Sequence, residues 1–272
     1  MKNLLFLGSG LSSSKEYEKL YHNVLTAIQF GISSFDTAPS YHTEEALGQA
    51  IHTIIVKDGV KRSDLHLQTK IDPWQMVEGD GRVEKYVIES LDKMQTDYFD
   101  AVLIHWPIPE YFYQTIDSLM KLKQQGTIRH VGICNVRVRH LVELEKEMKI
   151  QPEIIQIERN PLRVCQAEVE YCMKKHISVQ AYSPLCKMNE RLRKNDIIKS
   201  IAENYHKSVG QVILRWHIDT GCIPIFTSTK TERIKEYSQI FDFQLTSQEI
   251  EQVSLLNENY KMYLESWSCP GF

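Results

Sequence analysis

Four side chains of this sequence, Asp36, Tyr41, Lys70 and His105, are of types that can deliver a proton to an oxygen on which charge is building. A carbonyl that receives a hydride at carbon needs such a proton, and a phenol can supply it. An ordinary tyrosine titrates near 10, and each unit of lowering corresponds to about 1.36 kcal/mol of preferential stabilisation of the phenolate. An ammonium at Lys70, set against Tyr41, is expected to provide that stabilisation. Asp36 is expected to keep the lysine charged and oriented in a desolvated site, and His105 to hydrogen-bond the substrate oxygen. Taken singly, each residue has an ordinary explanation. A strand-end aspartate is commonly a helix cap or a structural ion-pair partner, and a histidine before Trp106-Pro107 is often a satisfied core residue. The functional reading depends on joint placement, and therefore on the elements that carry these residues.

Short apolar segments alternate with longer amphipathic ones, and the short segments are nearly continuous in hydrophobicity, as in a parallel sheet buried on both faces. Eight are found, at 4–7, 32–36, 65–70, 101–105, 130–134, 154–157, 178–182 and 223–226. Between them lie helix-like stretches such as 15–29, 44–55, 83–94, 115–124, 138–148 and 168–175, with Gly31 and Gly126 where C-caps would stand. Eight strand–helix units predict an α/β fold, a (β/α)8 TIM barrel forming one domain over residues 1–272, although length divided by about 150 would suggest two domains. Segments 231–238 and 247–257 predict two further C-terminal helices, followed by an aromatic tail. Only three residues precede the first strand, so no N-terminal hairpin is expected to plug the barrel bottom. In such a barrel the strand C-termini face the active-site mouth. Asp36, Lys70 and His105 end the second, third and fourth strands, and Tyr41 lies five residues past Asp36. Neighbouring strands are about 4.8 Å apart, so the four groups should converge.

Composition narrows the alternatives. A chain of 272 residues should bury roughly three quarters of the surface its unfolded form exposes. With 42% hydrophobic and 25% charged residues it is neither disordered, collagen-like nor coiled-coil. Thirty-two basic against thirty-five acidic side chains leave a net charge of -3, so no global field draws it to nucleic acid or an anionic membrane. No run approaches the roughly 20 apolar residues of a bilayer span, and the opening apolar run is shorter than the ~7 residues of a secretory core. A soluble cytoplasmic protein is expected. Six cysteines, at 134, 165, 172, 186, 222 and 269, form no C-x-x-C pair, as suits reduced thiols. Ten histidines include no H-x-H or H-E-x-x-H pair, so no metal is expected and a metal-dependent barrel hydrolase has little support.

The end of the eighth strand, Thr227, Ser228 and Thr229 through Arg233, offers hydroxyls, backbone N–H groups at a helix start and a guanidinium, a combination suited to an anion. Thr229 and Glu232 also have capping-box spacing, which explains the same segment as a helix start. Trp74 and Trp106 are candidates to line a substrate pocket, and Trp267 is a weaker one.

The ordered series Asp36-Thr-Ala-Pro-Ser-Tyr41, Leu47-Gly48, Thr69-Lys70, Tyr98-Phe-Asp100, Ile104-His105-Trp106-Pro107, Gly126-Thr-Ile-Arg129, Gly132-Ile-Cys134-Asn135, Gln156-Ile-Glu158 and Ala181-Tyr182-Ser183-Pro184-Leu185 resembles the aldo-keto reductase superfamily over nearly the whole chain. The resemblance implies an NAD(P)H-dependent enzyme that reduces an aldehyde or ketone reversibly, with Asp36, Tyr41, Lys70 and His105 as its tetrad. It implies that Asn135 and Gln156 hold the nicotinamide carboxamide, that Tyr182 stacks on the ring, and that Ser183 and Leu185 also touch the cofactor. It places Thr227, Ser228, Thr229 and Arg233 at the adenosine end, Ser228 and Arg233 matching residues that contact the 2'-phosphate of NADP. Thr227 stands for the usual Lys, Tyr237 for a usual Asn, Cys134 for Ser and His42 for Gly. NADP(H) is therefore favoured and NAD(H) left open. A short tail and absent hairpin suggest a compact member with an open substrate site, a monomer by default with a dimer as the alternative. Two rivals stand beside this reading: a redox-silent cofactor-binding regulatory module of the same fold, and a Rossmann dehydrogenase built on Gly8-Ser-Gly10 with Asp36 as ribose ligand.

Overall fold

The strand segments read as continuous apolar runs because both of their faces are covered: every residue of Phe99–Ile104 and of Ile154–Glu158 is buried. In the computed structural model, which describes residues 4–10 and 17–263, eight parallel strands follow one another around a closed barrel. They are β1 (Phe6–Gly8), β2 (Ser34–Asp36), β3 (His66–Ile71), β4 (Phe99–Ile104), β5 (Ile128–Cys134), β6 (Ile154–Glu158), β7 (Ser178–Tyr182) and β8 (Cys222–Phe226). Closure comes from β1 pairing with β8 as well as β2, with Phe6 opposite both Ile225 and Ser34. The (β/α)8 architecture is as expected, and it removes the Rossmann alternative, which requires an open sheet.

The outer layer consists of α1 (Tyr17–Gln29), α2 (Glu44–Asp58), α3 (Pro73–Glu78), α4 (Glu84–Met94), α5 (Phe112–Gln124), α6 (Val138–Met148), α7 (Gln166–Lys175), α8 (Glu190–Arg193), α9 (Asp196–Asn204), α10 (Val209–Asp219), α11 (Thr231–Ser238) and α12 (Ser247–Ser254). The last two are the extra helices expected after the eighth strand. In α6 the buried residues His140, Leu141 and Leu144 recur at helical spacing and face the barrel. Gly31 and Gly126, at φ +83° and +79°, stand just past α1 and α5 in the left-handed conformation that ends a helix.

Strand bounds shift by one or two residues from the sequence reading, β3 running on to Ile71 past Lys70, and other details differ as well. β1 starts two residues later than expected. β4 ends at Ile104, so His105 is the first residue of the loop, held by its N–H to Ile71 O at 2.9 Å. Gln156 lies inside β6 rather than at its end. The Thr229–Glu232 capping box does not form: Lys230 is the N-cap of α11, and Ser228 Oγ takes the Lys230 N–H instead. Trp267, Cys269 and residues 15–16 of the expected first helix lie outside the described residues, as do 11–13 after Gly10.

Opposite the mouth, Asp100 locks three strands together. It accepts from Arg62 Nη1 at 2.9 Å, Arg129 Nη1 at 2.8 Å and Leu67 N at 3.0 Å, while the Tyr98 ring lies between the two guanidinium groups at 3.9 and 4.1 Å. Tail residues 258–263 fold back over the ends of β6 and β7. Glu258 N and Tyr260 N donate to Leu162 O, and Glu158 accepts from Met262 N and Tyr263 N. The described tail is thus part of the wall of the mouth, which the expectation of an open site did not include.

Candidate active site

The strand ends bring together the four side chains singled out from the sequence. Lys70 is fully buried on β3, and its Nζ donates to Asp36 Oδ2 at 2.8 Å, Asp36 Oδ1 at 2.9 Å and Thr37 O at 2.8 Å. All of its donors are therefore directed. Burial alone would lower its pKa, but the Asp36 carboxylate and the Tyr41 hydroxyl outweigh burial and raise it, so the ammonium is charged throughout the ordinary pH range. Tyr41 closes the 3₁₀ turn Pro39–Tyr41, with Lys70 Nζ 4.8 Å from its ring centroid and His105 Nε2 3.5 Å from its hydroxyl.

Tyr41 departs from expectation in one respect. Burial pushes its pKa up to about 12, and Lys70 pulls it down only in part. The phenol therefore keeps its proton at neutral pH, which is the state an acid must start from. His105 is shifted the other way: burial lowers its pKa, and Lys70 adds to the lowering against Asp72.

Three amides meet beneath the tetrad, and two of them, Gln68 and Gln180, were not anticipated. Asp36 Oδ1 accepts from Gln68 Nε2 at 2.6 Å and Gln156 Nε2 at 3.1 Å, and Gln180 joins the two, accepting from both and donating back to Gln68. Gln156 thus has both donor hydrogens engaged inside the barrel and offers its carbonyl oxygen to the space above. Asn135, at φ +61°, donates from Nδ2 to His105 O and accepts from the Tyr182 hydroxyl, each at 2.9 Å. Asparagine is among the few residues that take this conformation readily.

These groups open into a cavity of about 620 Å³. Its walls include Asp36, Tyr41, His105, Asn135, Gln156 and Tyr182, then Ser183 and Leu185 of the loop after β7, and Thr227, Arg233 and Tyr237 at the far end. Trp106, beside His105, and Tyr263, edge-on to Tyr182, also line it. Three expected residues stand apart. Ser228 is buried in a turn closed on Lys230 and faces a small neighbouring pocket, and Thr229 is not among the lining residues. Trp74 lies on α3, 46% exposed with its ring edge-on to Tyr86, and does not reach the cavity. Among the described residues no group of three or more His, Cys, Asp or Glu side chains could hold a metal ion, and no helix is long and apolar enough to cross a membrane.

Residues 5–258 match the sequence profile described as Aldo/keto reductase family. The chain belongs to that family. It is an oxidoreductase, and its relatives include a glyoxal reductase of Bacillus subtilis, 36% identical over 258 residues covering 94% of this chain and 90% of that one. A methylglyoxal reductase, DkgA, of Escherichia coli O157:H7 is 30% identical with the same coverage. Among solved structures, an aldo-keto reductase of Bombyx mori in complex with NADP superposes with a TM-score of 0.87 at 31% identity, over 97% of this chain and 92% of the other. A second, from Brucella melitensis, gives 0.82 at 34% identity over 93% and 95%.

What the sequence reading missed at this aldo/keto reductase site is Asp72, Gln68 and Gln180. Asp72-Pro73-Trp74-Gln75 has a capping-box spacing with proline at the first helical position, and that pattern could have marked Asp72 as a residue fixed just past Lys70. The two glutamines left no mark, because an amide inside an otherwise apolar strand has no spacing signature.

Proposed function

We propose that this aldo/keto reductase reduces an aldehyde or ketone to the alcohol, reversibly, with Tyr41 as the proton donor and Asp36, Lys70 and His105 as its supports. The observation that carries the reading is the position of the Tyr41 hydroxyl on the cavity wall, protonated, with the Lys70 ammonium on one side and the His105 imidazole on the other. A nicotinamide bound in the cavity would supply the hydride. The residues present fit one: Gln156 offers a carbonyl oxygen and Asn135 an amide to a carboxamide, the Tyr182 ring forms a wall, and Arg233 offers a guanidinium at the far end. Arg233 favours NADP(H), while Thr227, where a second cation is usual, makes the preference over NAD(H) modest.

As negative charge develops on the carbonyl oxygen, Tyr41 passes its proton to it and becomes a phenolate beside Lys70, which is already charged and held by Asp36. In the reverse direction the phenolate is the required base, and because burial raises its pKa alcohol oxidation should quicken as the solution is made alkaline. The relatives named for glyoxal and methylglyoxal make small 2-oxoaldehydes the first substrates to try. The test follows loss of NADPH and NADH absorbance with methylglyoxal, glyoxal and a panel of aldehydes and ketones. Tyr41→Phe should bind cofactor normally, by fluorescence titration, and lose turnover by about 10²–10⁴-fold. Unchanged turnover would remove Tyr41 from its role. Cofactor binding by the native chain without turnover on any carbonyl would favour the redox-silent reading instead.

A further inference from the structure

Asp72 is 2% exposed, follows β3 directly, and is held from three sides. It accepts from Ser40 N at 2.7 Å, from Ser40 Oγ at 3.0 Å and from His105 Nδ1 at 2.5 Å. Its pKa is pushed up by burial but lowered overall by the His105 and Ser40 hydrogen bonds, so it is a carboxylate and can only accept. The hydrogen between it and His105 therefore belongs to Nδ1, and Nε2 of the neutral ring carries a lone pair towards the Tyr41 hydroxyl. A second buried acid–base pair, Asp72 with His105, thus reaches Tyr41 in addition to Asp36 with Lys70.

We propose that Asp72 is a positioning residue of the active site, fixing His105 as the Nδ1–H tautomer so that Nε2 accepts when the ring is neutral and donates to substrate oxygen only when the ring is charged. This rests on the carbonyl-reductase reading of the site. The ring takes its second proton, at Nε2, from solvent through the mouth, Asp72 remains ionised, and the resulting imidazolium has a carboxylate counter-ion in a place where burial opposes the charge. The other charged or titratable groups facing His105 are Lys70 on β3, which opposes the charge, Asp36 on β2, which favours it, and the Tyr41 phenol. Cys134 on β5 remains a thiol, because burial raises its pKa well above the ordinary range. Asp72 is the one carboxylate in hydrogen-bond contact with the ring among the described residues. The rate of carbonyl reduction should accordingly fall as pH rises through the His105 pKa.

Two measurements test this on the full chain. In the pH profile of kcat for methylglyoxal reduction by NADPH, Asp72→Asn keeps one oxygen to accept from Nδ1–H and Ser40 Oγ, turns an amide towards Ser40 N, and removes the charge. It should move the alkaline limb to lower pH by about 1–3 units, the range for loss of an adjacent opposite charge, with KM changed less than kcat and Asp72→Glu restoring part of the position. A uniform drop in kcat with the limb unmoved would show a merely structural role and overturn the proposal. Nitrogen NMR of histidine-labelled protein should show His105 protonated at Nδ1 in the native chain, and an Nε2–H signal would also overturn it. The second readout needs no turnover, so a native chain that reduces no carbonyl would count against the function while the tautomer still decides the role of Asp72.

Discussion

At the residue scale the centre of the site is an ion pair that water cannot reach, with the side chains of Lys70 and Asp36 exposed by only 0% and 4%. Such a pair is costly to break on one side, because the remaining charge is left without its partner, whereas replacing both sides together is often neutral. Lys70→Met should therefore lower stability by about 3–5 kcal/mol, leaving the Asp36 carboxylate with only the Gln68 and Gln156 amides. It should also abolish most turnover, because Tyr41 loses the one group that draws its acidity towards the ordinary value. Adding Asp36→Asn should recover much of the stability and none of the turnover. The denaturant midpoint and the rate of cofactor oxidation separate the two effects. A single variant as stable as the native chain would contradict the buried pairing.

At the scale of elements, the strands that hold these groups depend on how closely the helices lie over them. Gly48 in α2 touches the C-terminal end of α4, where an added Cβ would meet Lys93 O at 2.4 Å and Met94 Cα at 2.5 Å. Both atoms are backbone, so neither can rotate away. Gly48→Ala should force α2 and α4 apart and destabilise the fold by about 1–3 kcal/mol, read as a lower urea midpoint, and an unchanged midpoint would mean the helices are not in that contact. The same level of structure explains what could be read in advance. The eight strands announced themselves through continuous apolar runs, and Asp36, Lys70 and His105 through their places at or within one residue of the ends of three of them. Gln68 and Gln180 gave no such notice, because they contradict the apolar pattern and gain their meaning only when barrel closure brings them, with the expected Gln156, around one carboxylate. Trp74 misled for the opposite reason. Its position after β3 placed it near the mouth, but the helix begun by Asp72 and Pro73 turns its ring outward against Tyr86.

For the whole molecule, buried histidines set the response to acid. His217 is fully buried on α10, accepting from Arg159 Nη1 at 2.9 Å and donating from Nε2 to Pro184 O at 3.3 Å. Arg159 is itself 1% exposed, stacked over Trp216 at 3.9 Å, and bonded to Val164 O and Tyr182 O, so it joins β6, β7 and α10 with no carboxylate partner among the described residues. Burial first, and the guanidinium second, hold the His217 pKa well below its ordinary value, and burial lowers that of His105 as well. An unfolded chain protonates both near 6.5, while the folded chain does not, so the unfolded state binds more protons as pH falls below that point. Stability should then be level near neutrality and decline below about pH 6.5, each histidine contributing up to about 1.4 kcal/mol per pH unit until its folded pKa is reached. Glu44, whose pKa is raised by burial, works in the other direction but only around the carboxylate range, below most of this window. His217→Gln should lower stability at pH 7, because Arg159 loses an acceptor of the right shape, and should flatten the decline between pH 6.5 and 5 by one histidine's share. Urea unfolding across that range measures both, and an unaltered slope would mean that protonation of His217 beside Arg159 is not what acid must overcome.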